Sequence, residues 1–371
     1  MRTIRQLLYK EILVAVGFVT LGFLALFFFF DFVDELRWVG RSGEKSYQLT
    51  HALLVVALML PSHLYELLPI TVLIGTIFVM ARLAQSSEYT ILRTSGLGPW
   101  RALRTLLLLG LAFVMLTFAI GDYVAPVSDR AAQLIKARYQ GGITIGQTGA
   151  WLKEKQEDHS FAANVSVLGA RGRMQGVRIF EFDHNGLLVS LMHAETADVS
   201  GSGAWMLTNV ERTRFHTQDT QATDTASVER TQLPSYLWPT EISEEMVSTA
   251  LLKPDRMATL DLFQYIRHLN ANGQSAQRYE IEFWRKVFYP LSCRVMVVLA
   301  LPFAYLHFRA GGITTYVFGG VMAGISFFLL NNVFGYIGNL QNWQPWLTAA
   351  APGLIYSMLS LAAFSWLVLR R

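Results

Sequence analysis

Six apolar runs, at residues 12–30, 52–80, 102–120, 287–306, 313–334 and 346–369, constrain this 371-residue chain more than any other feature. About 20 apolar residues, rising about 1.5 Å each in a helix, cover a hydrocarbon core of about 30 Å. Each run is a candidate membrane span. The composition agrees: 52% of residues are hydrophobic, 16% are charged and the mean hydropathy is +0.33. The charges are concentrated between the runs. Arg2, Arg5 and Lys10 precede the first run, and Arg82, Arg93, Arg101 and Arg104 separate the second from the third. His307 and Arg309 lie between the fourth and fifth, and Arg370 and Arg371 end the chain. Lys and Arg are retained on the cytoplasmic side, so this pattern predicts six spans with both termini cytoplasmic. The net charge of +4 is therefore a signature of membrane topology and not of a nucleic-acid partner. The first run follows a positive segment, as in a signal peptide, but it is long and lacks a small-residue cleavage site, so an uncleaved anchor is expected. The single cysteine, Cys293, lies within an apolar run and excludes an intramolecular disulfide.

Pro61 and Pro69 fall inside the second run. Each removes a backbone donor, which predicts a bent or broken helix starting at the outer interface. Between residues 124 and 279 the composition becomes that of a soluble domain. Segments 176–182, 187–192 and 205–210 alternate apolar and polar residues, and Asn185-Gly186 and Gly201-Ser202-Gly203 separate them. Alternation with turn residues at this spacing predicts an antiparallel β domain, a sandwich or jelly roll. An odd number of preceding spans places it outside the cytoplasm. Residues 259–270 have apolar positions at helical spacing and predict an amphipathic helix returning to the membrane. The expected architecture is six transmembrane helices with an inserted antiparallel β-jelly-roll domain, divided as 1–123, 124–279 and 280–371.

The stretch 82–104 (RLAQSSEYTILRTSGLGPWRALR) is polar and basic between two spans. Ser86 or Ser87 can cap a short helix, Glu88 suits its first turn, and Gly96 with Gly98-Pro99 stops it. An ordinary loop whose arginines set topology would explain the charges but not a marked helix. The physical reading is a cytoplasmic docking element around residues 84–97.

Few residues suggest catalysis. Residues 141–148 (GGITIGQT) have P-loop spacing, but Gln147 replaces the lysine, and they read as a glycine-rich entry to the β domain. HExxH, paired CxxC and GxSxG motifs are absent, and His159, His184 and His216 lack metal-ligand spacing. Glu66 with His63, and Arg294, are ionisable residues inside spans. For the first pair a cavity lining and a position near the outer interface are both open; Arg294 either lines a cavity or holds two helices together. Arg37, Arg41, Arg130, Lys136 and Arg138 cluster at the outer ends of the first and third spans. They suit either the phosphates of an anionic amphiphile or lipid-headgroup anchoring.

Residues 83–96 (LAQSSEYTILRTSG) resemble the LAQ-x-SE-x-x-x-x-R-x-SG signature of the YjgP/YjgQ permeases, the LptF/LptG family of the lipopolysaccharide exporter. The likeness extends to FVDEL (32–36), LPITVLIG (68–75), IGDYVAP (120–126) and YEIEFWRKVFYPL (279–291), and so to nearly all of the chain. It implies the same six spans with a periplasmic β-jelly roll after the third, in the bacterial inner membrane. It also implies a half-transporter that pairs with an LptF-type permease and docks on a dimeric LptB-type ATPase. The β domain would pass lipopolysaccharide to LptC and LptA. ATP and Mg would be bound by the ATPase, leaving no cofactor and no catalytic residue in this chain. Glu88 corresponds to the family's coupling-helix carboxylate and Arg93 to the basic residue of the same motif, with Ser87 and Tyr89 beside them. Lys136 and Arg37 best match the cations that meet lipid A phosphates, with Arg41 and Arg130 in the same cluster. The family often has a lysine just before FVD, where this chain has Asp31. A second reading of these features is a membrane scaffold that an ATPase moves without lipid passing through it.

Overall fold

The computed structural model describes residues 2–40, 47–140, 150–156, 159–168, 173–200, 203–216, 227–243, 246–247, 254–305 and 313–366. Among these, six helices are long and apolar enough to cross a membrane: Ile4–Leu36, Leu49–Gln85, Pro99–Lys136, Gln277–Tyr305, Thr314–Leu340 and Pro345–Phe364. The elements are α1 (Arg2–Leu36), α2 (Leu49–Gln85), α3 (Glu88–Thr94), α4 (Pro99–Ala119) and α5 (Ala125–Gln140), then β1 to β6, and then α6 (Thr259–Ala271), α7 (Gln277–Leu299), α8 (Ile313–Leu340) and α9 (Pro345–Phe364). The chain divides into two compact units. One comprises residues 1–34, 56–129 and 277–371, the other residues 35–55 and 130–276.

In the helical unit α2 is the central element. It is apolar all round, as a fully buried helix must be, and 83% of its most apolar window is buried, against 17% for α1. α1 buries Leu8, Ile12 and Val16 at intervals of four residues and exposes Val14, Phe18 and Leu21. The approach of the two helices is set by Gly75: a Cβ there would lie 2.7 Å from the Val16 backbone nitrogen and 2.8 Å from its Cα. Small residues at such crossings let backbones meet and gain packing that lipid cannot supply. Thr20 adds a hydroxyl bond of 3.0 Å to the buried Thr71.

Two expectations for the spans require correction. α2 is a single continuous helix containing Pro61 and Pro69, not a broken one. Neighbouring side chains bond to its carbonyls near the second proline, and the Tyr289 hydroxyl donates to the Glu66 carbonyl at 2.5 Å. The helix of the third span, expected over residues 102–120, also runs on beyond that range. α4 passes through a five-residue π-helical segment, Ile120–Val124, into α5. A π turn misaligns the carbonyl ladder, and here the buried Lys286 donates to the Gly121 carbonyl at 2.9 Å. Residues 141–148, His307, Arg309, Arg370 and Arg371 lie outside the described residues.

The second unit holds the antiparallel β insert. Its strands are β1 (Ala150–Lys155), β2 (Ser160–Leu168), β3 (Met174–Phe182), β4 (Leu188–Ser200), β5 (Ala204–His216) and β6 (Ser227–Pro239), paired in sequence order in one sheet. The register aligns the inward residues: Val165 faces Val177, Ile179 faces Met192 and Ala194 faces Val210, all buried. Side chains alternate across a strand, so a slip of one residue would turn every one of these outward. Trp205 and Trp238, both buried, meet edge to face at 5.2 Å, and the Trp205 indole donates to the Ile242 carbonyl at 2.8 Å. The expected turn at Asn185-Gly186 forms around Asp183, whose Oδ1 accepts from the Asn185 and Leu187 amides at 2.9 and 2.8 Å. Those bonds hold its carboxyl below the usual aspartate range. The expected amphipathic helix is α6, which buries Leu262, Tyr265 and Leu269.

Adding one methyl at Gly75 drives it into the Val16 backbone, which cannot move without shifting α1. Gly75→Ala is expected to cost about 1–3 kcal/mol and to lower the unfolding midpoint in detergent. Gly17→Ala, where a Cβ meets nothing within 4 Å, is the control expected to leave that midpoint unchanged.

Candidate functional site

The helix expected over residues 84–97 is the seven-residue α3, with α2 ending at Gln85 just before it. The capping expectation is corrected. Ser87 has φ 62° and ψ 2°, and its side chain makes no cap. The tight left-handed turn instead presents its carbonyl to the Thr90 and Ile91 amides at 3.1 and 3.3 Å. Ser86 is no substitute, since its hydroxyl turns back to the Leu83 carbonyl at 3.4 Å. A side-chain cap needs an extended residue at the N-cap, and a chain reversing directly from α2 into α3 leaves no room for one.

The far end behaves as the glycine predicted. The Leu97 amide donates to the Leu92 carbonyl at 3.0 Å, and the Gly96 amide to the Arg93 carbonyl at 3.1 Å. This pair of bonds closes a helix when the residue after the cap is left-handed, and Gly96 has φ 102°. Leu97 and Leu92 lie in the same apolar cluster, supplying the hydrophobic contact that accompanies such an ending. Arg101 donates to the Gly96 carbonyl at 3.1 Å, and Pro99 opens α4.

Between these ends α3 has two faces. Tyr89, placed beside the contact residues in the sequence, is buried and points into the bundle. Its hydroxyl donates to that of Tyr305 at 3.1 Å, and the rings meet edge to face at 5.2 Å. Burial, reinforced by Tyr305, pushes the Tyr89 hydroxyl well above the ordinary tyrosine range, so it stays protonated and tethered. Arg93 lies over the Tyr305 ring at 5.7 Å, within cation–π range. Glu88, Ile91 and Arg93 are exposed. Tyr305 belongs to no motif and gave no signal in the sequence; only the packing of the residues after α7 against α3 identifies it. Beneath α3, Arg82 pairs with Glu11 at 2.6 Å. α3 is therefore a short helix clamped from inside by a tyrosine pair, and it presents one acid, one base and one aliphatic side chain outward.

The cation cluster is placed less uniformly. Lys136 pairs with the buried Glu35 at 2.9 Å, and Tyr47 donates to the other Glu35 oxygen at 2.9 Å. Burial, with that bond, raises the Tyr47 hydroxyl, and its ring packs near His51 and Tyr139. Arg37 and Arg130 are exposed, and Arg41 lies outside the described residues. Lys136 thus spends its charge on an internal acid that the sequence reading did not pair with it.

Of the ionisable residues within spans, His63 pairs with Asp31 at 2.6 Å and stacks at 4.8 Å on Phe27; Glu66 is exposed. The His63–Asp31 contact bridges α1 and α2. Arg294 is exposed and lays its stem against Gly110. Among the described residues no group of His, Cys, Asp or Glu could hold a metal ion.

Residues 6–370 match the family model described as lipopolysaccharide export system permease LptF/LptG. The chain is 28% identical over 343 residues to the lipopolysaccharide export system permease protein LptG of Escherichia coli K12, covering 92% of this chain and 90% of that protein. It is 26% identical over 372 residues to the protein of the same name from Haemophilus influenzae, covering 100% and 99%. With six apolar helices, an inserted antiparallel sheet and a match spanning nearly its whole length, the chain belongs to the LptF/LptG family of permeases.

Proposed function

We propose that this chain is the transmembrane permease subunit of an ATP-driven exporter that takes lipopolysaccharide from the inner membrane and hands it to a periplasmic β bridge. The observation that carries the reading is α3. In a member of this family, a helix anchored through Tyr89 and Tyr305 with Glu88 and Arg93 exposed suits transmission of force from a cytoplasmic ATPase. The subunit pairs with an LptF-type permease on an LptB-type ATPase dimer, which holds ATP and Mg. LptC- and LptA-type proteins receive the lipid. Both termini and α3 face the cytoplasm, and the β unit is periplasmic.

Lipopolysaccharide is an amphiphile with many acyl chains. An apolar cavity between permease halves compensates for the lipid contacts it leaves, at roughly 25 cal/mol per Å² of apolar surface. Closure of the ATPase then makes that cavity unfavourable, and a lipid with different affinity for the two states is expelled. α3 moves as a rigid body in that step, because its tyrosine tether and glycine-closed end resist local unwinding. Arg37 and Arg130 are the exposed cations suited to lipid A phosphates, with Arg41 beside them in sequence. Lys136 acts at one remove, by holding Glu35 neutralised.

Glu88→Lys is expected to weaken co-purification of the ATPase on the order of tenfold, the loss of a charge-assisted contact. Assembly and transport equal to wild type would reject the docking role.

Replacing Arg37 and Arg130 together by Gln should lower photocrosslinking of lipopolysaccharide several-fold. Lys136→Gln should instead lower the unfolding midpoint, since it removes the cation paired with the buried Glu35 carboxylate. Full crosslinking in the double variant would reassign the two arginines to headgroup anchoring. Transport without any lipid crosslink to α1 or α8 would favour the scaffold reading.

A further inference from the structure

Arg278, Glu282 and Arg285 recur at i, i+4 and i+7 on α7, and Asn332, Gly335 and Asn339 at i, i+3 and i+7 on α8; together they line a cavity of about 380 Å³. These spacings place each set on one helix face. Helices that pack by an apolar seam carry aliphatic residues at such positions; here the seam is charged and amide-bearing. Both helices are membrane-length, and the three charged residues stand on α7 just ahead of its apolar run at 287–306, where basic side chains can reach the charged headgroups of a bilayer.

The compensation within the chain is partial. Arg285 donates to Glu282 Oε1 at 2.8 Å and to Asn332 Oδ1 at 3.3 Å. A guanidinium has five N–H donors, so these two bonds leave most of its capacity unspent. Arg278 is exposed and has no ion-pair partner among the described residues. Two arginines against one glutamate leave the cavity with one net positive charge. The wall at Gly335 is open: a Cβ there would meet only the Arg285 guanidinium, at 3.7 Å. On α8, Met322, Ile325, Leu329 and Val333 are also exposed apolar side chains. A basic pocket on a helix that exposes apolar side chains suits a molecule with an anionic head and an acyl tail.

We propose that this cavity is a resident site for an anionic glycerophospholipid of the surrounding bilayer, its phosphodiester on Arg278 and Arg285 and an acyl chain along α8. A phosphodiester carries one negative charge, which the cavity's one net positive charge balances. Glu282 is already engaged by Arg285, so the cavity has no acid to spare for the ammonium of a zwitterionic head. The amides of Asn332 and Asn339 suit the hydroxyls of a glycerol head. The headgroup site uses none of the cations considered for the exported lipid and does not depend on that assignment.

The full-length protein, reconstituted in phosphatidylethanolamine nanodiscs with a minor fraction of phosphatidylglycerol, is re-extracted in detergent and its retained lipid measured by native mass spectrometry. Wild type is expected to retain phosphatidylglycerol above its bulk fraction. Arg278→Gln, which removes an unpaired charge, and Gly335→Leu, which fills the groove, should each reduce that enrichment about tenfold, the equivalent of one charge-assisted hydrogen bond, at an unchanged unfolding midpoint. Equal retention by wild type and both variants overturns the site. So does retention of phosphatidylethanolamine as tight as that of phosphatidylglycerol. Displacement of phosphatidylglycerol by stoichiometric lipopolysaccharide also overturns the assignment and gives the cavity to the exported lipid.

Discussion

A backbone donor or acceptor in hydrocarbon has no water to turn to, so it must be satisfied within its own helix or by a neighbouring side chain. The helical unit is arranged around that requirement. Pro69 in α2 and the π segment after α4 each disturb a hydrogen-bond ladder, and at each a polar side chain from α7 reaches a carbonyl. Tyr289 bonds to Glu66 and Lys286 to Gly121. The ammonium of Lys286 also lies 5.8 Å from the Tyr65 ring centroid, so its charge has an aromatic face as well as a carbonyl. A buried lysine in a membrane bundle is costly unless fully engaged, and this one stabilises a backbone irregularity that would otherwise be costly too.

The same economy of polar groups separates the residues that hold the structure from those that remain available to partners. Asp31 with His63, Lys136 with Glu35 and Tyr47, and Tyr89 with Tyr305 are internal pairs. Each joins elements distant in sequence, and each satisfies a group that would be unfavourable alone in an apolar setting. What is left outward at α3 is Glu88, Thr90, Ile91, Arg93 and Thr94. A contact helix is useful only if its exposed face is fixed relative to the bundle, and the tyrosine tether and the glycine-closed end provide that fixity.

Family membership and the outward face of α3 support each other without being the same observation. The motif contains Glu88 and Arg93, and the geometry leaves both exposed while Tyr89, between them in sequence, is buried against Tyr305. Asp31 pairs with His63, and this contact bridges α1 and α2.

Much of the architecture was legible because membrane spans and alternating strands are periodic signals. The six apolar runs, the β insert, the amphipathic α6 and the glycine stop at Gly96 follow from local spacing and backbone sterics. Sequence could not decide what depends on distant neighbours. Pro61 and Pro69 read as a bend or a break because their lost donors are local, whereas the hydroxyl that bonds to the Glu66 carbonyl ahead of Pro69 lies on another helix. Ser87 read as a cap because its residue type favours one, whereas the reversal from α2 into α3 forces a left-handed turn. Lys136 read as a lipid-facing cation because its carboxylate partner is about a hundred residues away in the chain. The sequence by itself determined which segments enter the membrane and which fold as a sheet, since burial in lipid and pairing in a pleat are set by composition and period. Only the tertiary structure decided which charges are already neutralised and which remain exposed, because pairing depends on proximity in space.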